Sequence, residues 1–216
     1  MAVKPTSSPL PSALPSAEGV EVIERTTLFQ GYFRMVRYVL RHRRFDGGWT
    51  PNITREVFER GHAAAVILYD PVRDMVGLSE QFRVAALAAG RHPWLIEIVA
   101  GIIDAGETAE TTAIREAREE AGVEVEELVP VADTIASPGG STETVRIFCA
   151  RVDATKLGGI HGLPEEGEDI RVFAVPADEA FAWVESGRIN NAISVVAVQW
   201  LALHRDQLRK RWNVTS

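Results

Sequence analysis

The alternation of apolar and polar positions changes character along the chain, and each change marks an element. VEVIERTTLF and YFRMVRYVLRHRRF read as two strands joined around Gln30 and Gly31. Asp46, Gly47 and Gly48 mark a turn into a third strand, ITREVFE. These three strands predict a small antiparallel unit. Beyond Arg60 and Gly61, HAAAVILYD is almost continuously apolar, as a central strand covered on both faces must be. The turn at residues 70–74 leads into MVGLSEQF and predicts a hairpin. AALAAGRHP reads as a loop, and WLIEIVA as one short buried strand running into Gly101.

From residue 108 the period becomes helical. Thr108 can cap a helix start, and Gly122 stands where a helix ends in the left-handed conformation. At about 100° per residue, Glu116, Glu119 and Glu120 fall within an arc of roughly 100°. Ala109, Ala113, Ala117 and Ala121 run beside that arc and allow close packing. Strands are predicted within ELVPVADTIAS and ETVRIFCARV, separated by a tight loop at residues 137–141. Residues 156–169 form a long Gly- and Glu-rich connection, a kind usually functional or disordered. RVFAV is the last strand, and ADEAFAWVESG and NNAISVVAVQWLALHRDQLRKRW are two closing helices. In the second, Ile193, Val196, Ala197, Trp200, Leu201 and His204 keep helical spacing and are expected in the core.

Composition narrows the function. The 216 residues carry a net charge of −7, which argues against a nucleic-acid polyanion as partner. Arg41, His42, Arg43 and Arg44 read as a solvated strand end, not a binding patch. Cys149 is the sole cysteine, so no intrachain disulfide exists, as expected of a cytoplasmic protein; burial is its expected role. No run approaches the length of a membrane span. Residues 1–18, rich in Pro, Ser and Ala, read as a flexible tail; residues 19–59 as the antiparallel unit; residues 60–212 as the main domain.

The chemistry concentrates on residues 101–123, GIIDAGETAETTAIREAREEAGV. Glu116 and Glu120 stand one turn apart on one helix face. Like charges this dense weaken a helix unless a cation compensates them. Oxygen ligands alone favour a hard ion, Mg²⁺ or Mn²⁺, over zinc. A Glu-rich helix is by itself an ordinary solvated face; the spacing sets this one apart. Gly101, five residues, Glu107, seven residues, Arg115-Glu116, one residue, then Arg118-Glu119-Glu120-Ala121-Gly122-Val123 resembles the signature of the Nudix hydrolases. Ala117 departs from the Ile, Leu or Val more usual there. FERGHAA, DPVRD, EQFRVAA, ASPGG, GIHGLPEEGEDIRV and NNAISVVAVQWL extend the similarity, towards bacterial ADP-ribose pyrophosphatases. Pro138, sixteen residues after Gly122, lies at an offset associated with ADP-ribose specificity in that superfamily.

The resemblance implies an α/β fold, the Nudix α/β/α sandwich with a mixed sheet, preceded by the small N-terminal β unit. It implies Mg²⁺-dependent hydrolysis of ADP-ribose to AMP and ribose 5-phosphate, with two or three ions per site. Glu116, Glu120, Glu168 and the Ala100 carbonyl are the implied metal ligands. Arg115 and Glu119 are implied to hold the ligand helix, and Glu166 to act as general base. Tyr32 and Phe33 match positions near adenine. Arg55, Glu56, Arg60 and Arg83 match contacts to adenosine, phosphate or a partner chain. Ile102, Ser137, Pro138, Gly139 and Glu143 match the pocket around the distal phosphate and ribose. A homodimer exchanging the N-terminal unit is also implied. The alternatives are a nucleotide-sugar hydrolase acting on GDP-mannose and a non-catalytic nucleotide sensor; the second should have lost the carboxylates present here.

Overall fold

The computed structural model describes residues 17–163 and 167–214, so residues 1–16 of the expected tail lie outside the described residues. The chain divides into two compact units. The first takes the chain up to His62 together with Ile102–Gly106 and Ile135–Thr144; the second holds the remainder.

In the first unit, β1 (Val20–Gln30), β2 (Arg34–His42) and β3 (Ile53–Glu59) form an antiparallel sheet in that order, as the sequence predicts. Its polar anchor is Glu59, which is buried yet accepts hydrogen bonds from Arg25 (3.0 Å), Arg34 (2.7 Å) and the Tyr38 hydroxyl. Burial works to raise this carboxyl, but these donors outweigh it and hold it below the ordinary range.

The second unit is built on β4 (Ala63–Asp70), every residue of which is buried. With β5 (Met75–Phe82), β6 (Trp94–Glu97), β7 (Val99–Ile102), β8 (Glu127–Ile135), β9 (Thr144–Arg151), β10 (Gly159–His161) and β11 (Ile170–Pro176), it makes an eight-stranded sheet. The order is β10-β11-β5-β4-β9-β8, with β6 on β5 and β7 on β4. β4 and β9 run parallel while β4/β5, β5/β6, β5/β11 and β10/β11 run antiparallel, so the sheet is mixed.

Helices α1 (Val84–Ala88), α2 (Ala109–Ala121), α3 (Ala177–Glu185) and α4 (Ala192–Arg211) complete the unit. Alternate β4 residues Ala63, Ala65, Ile67 and Tyr69 share one core with Ala177 and Ala180 of α3 and Ala197, Val198, Leu201 and Leu208 of α4. Side chains alternate along a strand, so Ala64, Val66 and Leu68 point to the opposite face, where α2 lies against β4. Burying each large aliphatic side chain on such a strand contributes about 1.5–3 kcal/mol. This is the expected sandwich.

Four local expectations need correction. AALAAGRHP is not all loop: Val84–Ala88 forms α1, since its alanines and leucine are the best helix formers. WLIEIVA is not one strand, because it breaks at Ile98. β11 occupies one edge of β5 along Met75–Glu80. On the other edge, β4 pairs with residues 75–77 and β6 with residues 79–82. The chain therefore leaves β5 at Glu97 and joins β4 as β7. Ser194 Oγ accepts the Ile98 N–H at 3.0 Å, and Asn191 Nδ2 donates to the Ile96 carbonyl at 2.9 Å, so the start of α4 holds this kink. The long connection at 156–169 contains β10. In α4, Val196 is exposed; Ser194, Ala197, Val198, Leu201 and Leu208 make the buried stripe, and Trp200 stacks on His204 at 4.3 Å. Cys149 is buried as expected, and burial pushes its thiol far up.

Candidate active site

Helix α2 starts with a reciprocal cap. Thr108 Oγ1 accepts the Thr111 N–H (3.2 Å), and Thr111 Oγ1 accepts the Thr108 N–H (2.9 Å). It ends at Gly122 with φ 65°, where the Gly122 and Val123 N–H groups reach back to Arg118 and Ala117. Ala113, Ala117 and Ala121 are fully buried, so the helix sits close on its support. That closeness takes Glu116 and Glu120 out of water, at 9% and 5% exposure.

β7 passes over these two carboxylates. The Ala100 N–H donates to Glu120 Oε2 at 3.2 Å. At Gly101 a Cβ would stand 1.7 Å from Glu116 Oε1, so only glycine leaves room for that carboxylate. Arg115 ties the cluster together. It makes a bidentate pair with Glu107 (2.9 and 3.0 Å) and donates from Nη1 to Glu116 Oε1 and Glu119 Oε2, each at 2.8 Å. Thr112 Oγ1 also donates to Glu107, at 2.8 Å. Glu119 is the more exposed member, on the rim of the pair.

Burial raises Glu116 to about 7, opposed by Arg115 and assisted by the charges of Glu119 and Glu168. Burial likewise raises Glu120 to about 8, with the Glu116 and Glu168 charges adding to it and the Ala100 N–H opposing. Glu168 is held from behind by the Leu163 N–H at 3.1 Å. Among the described residues no three His, Cys, Asp or Glu side chains close into a metal cage. Two buried carboxylates that disfavour their own charge, beside a glycine-cleared space, instead fit a hard divalent cation, which takes one or two carboxylates and keeps other positions for water or phosphate.

Arg83 pairs with Glu97 at 2.8 Å, and its charge opposes the rise at Glu120. It lines a cavity of about 420 Å³ with Arg91, Leu95, Glu97, Asn190 and Asn191. Glu166 lies outside the described residues.

In the first unit the expected substrate residues gather around Phe33. Tyr32 meets its ring edge-on at 4.7 Å, Phe58 at 5.1 Å, and the Arg60 guanidinium lies 5.3 Å from its centre. Arg60 pairs with Glu143 at 3.0 Å. The loop of Ser137, Pro138 and Gly139 is docked on β3: the Phe58 N–H donates to the Gly140 carbonyl (2.8 Å), and the Thr142 N–H to the Phe58 carbonyl (3.1 Å). Ile102 ends β7, and the next N–H, of Ile103, donates to the His62 carbonyl at 3.0 Å. Arg55 and Glu56 lie on the exposed part of β3, apart from this cluster, with Arg55 donating to the Thr54 carbonyl. Sequence reasoning missed Phe58, and it gave Glu107 no role although Glu107 stands at a fixed point of the motif. It also missed Glu97 as the partner of Arg83, which the antiparallel pairing of β6 with β5 brings near.

Comparison with known proteins agrees with this geometry. The NUDIX domain model matches residues 59–194. The chain is 50% identical over 205 residues to a protein named ADP-ribose pyrophosphatase from Escherichia coli (strain K12), covering 94% of this chain and 98% of that one. It is 33% identical over 181 residues to a GDP-mannose pyrophosphatase from Pectobacterium atrosepticum, covering 83% and 92%. A solved structure described as an ADP compounds hydrolase superposes with a TM-score of 0.68 at 19% identity, covering 93% of this chain and 100% of that one.

Proposed function

This chain belongs to the Nudix family of hydrolases, and from that premise we propose that it hydrolyses the pyrophosphate bond of ADP-ribose to AMP and ribose 5-phosphate. The observation that carries the chemistry is the buried Glu116–Glu120 pair beneath Gly101. Glu116, Glu120, Glu168 and the Ala100 carbonyl would hold Mg²⁺, or Mn²⁺ in its place. Two or three such ions would supply charge neutralisation at the pyrophosphate and a lowered pKa for bound water. Arg115 orients Glu116 and Glu119 and is itself oriented by Glu107, so the Glu116 carboxylate is fixed before substrate arrives. Glu166 takes the proton of the attacking water on its carboxylate.

Phe33 and Tyr32 offer aromatic faces to adenine. The Arg60–Glu143 pair and the loop of Ser137, Pro138 and Gly139 take the ribose and distal phosphate, Ile102 lines that pocket, and Arg55, Glu56 and Arg83 serve the adenosine or phosphates. ADP-ribose is favoured over GDP-mannose because the relative of the first name is the more similar. Purified protein with Mg²⁺ should release AMP from ADP-ribose faster than it cleaves GDP-mannose. Equal or faster GDP-mannose turnover moves the assignment to that substrate.

The protein acts as a homodimer that exchanges residues 20–58. β1 supports this, since Val20, Val22, Ile23, Leu28 and Phe29 are all exposed along one edge strand of the small sheet. Light scattering at assay concentration should give twice the chain mass; a fully active monomer would refute the exchange.

A further inference from the structure

His161 ends β10, which pairs with β11 so that His161 stands opposite Ile170. Its ring rests on Gly122, the left-handed cap that terminates α2. A Cβ at Gly122 would lie 2.7 Å from His161 Cε1 and 3.3 Å from Nδ1, so the ring occupies space that only glycine leaves open. Nε2 is 2.9 Å from the Gly158 carbonyl; a carbonyl only accepts, so Nε2 carries the proton and the ring is tethered on that side too.

The two residues after His161 grip Glu168. Gly162 has φ 98°, and a Cβ there would come within 2.7 Å of Glu168 Cβ. The Leu163 N–H donates to the Glu168 carboxylate at 3.1 Å, and the Glu168 N–H donates back to the Leu163 carbonyl at 3.2 Å. Three consecutive residues thus touch the end of the carboxylate helix with the first and hold Glu168 with the other two.

We propose that His161 is a positioning residue: seated on Gly122, its ring fixes the 161–163 segment against α2 and so places the Glu168 carboxylate relative to Glu116 and Glu120. This rests on the reading of Glu168 as a metal-linked carboxylate. Ligand groups must be held to about 0.5 Å to work. Removing the ring leaves an empty slot over Gly122 in which the segment, and Glu168 with it, can shift.

The test is a cycle of Mn²⁺ affinities, measured by calorimetry on the full chain without nucleotide. It uses the wild type, His161→Ala, Glu168→Gln and the double variant. His161→Ala should weaken Mn²⁺ binding about tenfold, within the 10–100-fold usual when a supporting partner of a ligand is lost. His161→Phe, which keeps a ring on Gly122, should recover most of that loss. In the Glu168→Gln background, His161→Ala should cost less than about twofold, because the group it positions is already gone. Should thermal unfolding show the alanine variant too unstable, His161→Leu serves the same cycle. An equal loss in both backgrounds, or wild-type affinity in His161→Ala, overturns the proposal. Because no substrate enters the measurement, a wrong substrate assignment would appear separately, as Mn²⁺ binding without ADP-ribose turnover.

Discussion

Gly101→Ala is expected to remove most turnover while leaving the fold intact. The added Cβ would sit 1.7 Å from Glu116 Oε1, 2.0 Å from its Cδ and 2.6 Å from its Cγ. No rotation of the carboxylate alone relieves three such overlaps, and Glu116 is also held at 2.8 Å by Arg115. Either β7 lifts or Glu116 swings out, and both displace a ligand by about 1 Å. A displacement of that size costs on the order of 10²-fold in rate. The Gly101 backbone is not in the left-handed region, so the effect comes from crowding and not from backbone strain. The check is kcat for ADP-ribose beside the thermal midpoint. Near-normal kcat would mean that Glu116 does not act from where it now stands.

Glu166→Gln should slow the chemical step by about 10²–10⁴-fold, the range for a lost general base, while Mn²⁺ and ADP-ribose still bind. Glu120→Gln should behave differently, losing Mn²⁺ affinity as well as turnover, with partial rescue at high metal. The contrast arises because Glu120 is buried on a rigid helix under the Ala100 N–H, whereas Glu166 belongs to the connection at 156–169. Single-turnover rates at saturating Mg²⁺ separate the two. A Glu166→Gln protein with near-normal kcat would place the base at another carboxylate, or leave the activation of water to the metal.

Much of this arrangement was legible in the sequence because it depends on local spacing. Four-residue steps put Glu116 and Glu120 on one face and Ala113, Ala117 and Ala121 beside them, and the caps at Thr108 and Gly122 follow from residue type. The unbroken apolar run of β4 announced its burial on both faces. What pattern cannot carry is the choice of hydrogen-bond partner. WLIEIVA is apolar but for Glu97 whether it pairs with one strand or changes partner at Ile98, yet that change is what carries Ala100 and Gly101 over the carboxylates. The Arg115–Glu107 pair and the contact of His161 with Gly122 likewise join residues that only the folded chain brings together.

The raised carboxyls also set a pH dependence. Glu116 and Glu120 titrate near 4.5 when unfolded but at about 7 and 8 in the metal-free fold. Their contribution to stability is therefore fully present below about 4.5 and is lost as pH rises through 7 to 8. A bound cation reverses this by favouring the ionised forms, and must displace the protons to bind. The direct test of the metal site is a titration of Mn²⁺ into metal-free protein at pH 7, in two buffers of different ionisation enthalpy. The expected result is uptake with release of about one proton per site, and a much weaker uptake in Glu120→Gln. Uptake without proton release, or unchanged by Glu120→Gln, would contradict the assignment of this buried pair as the metal site.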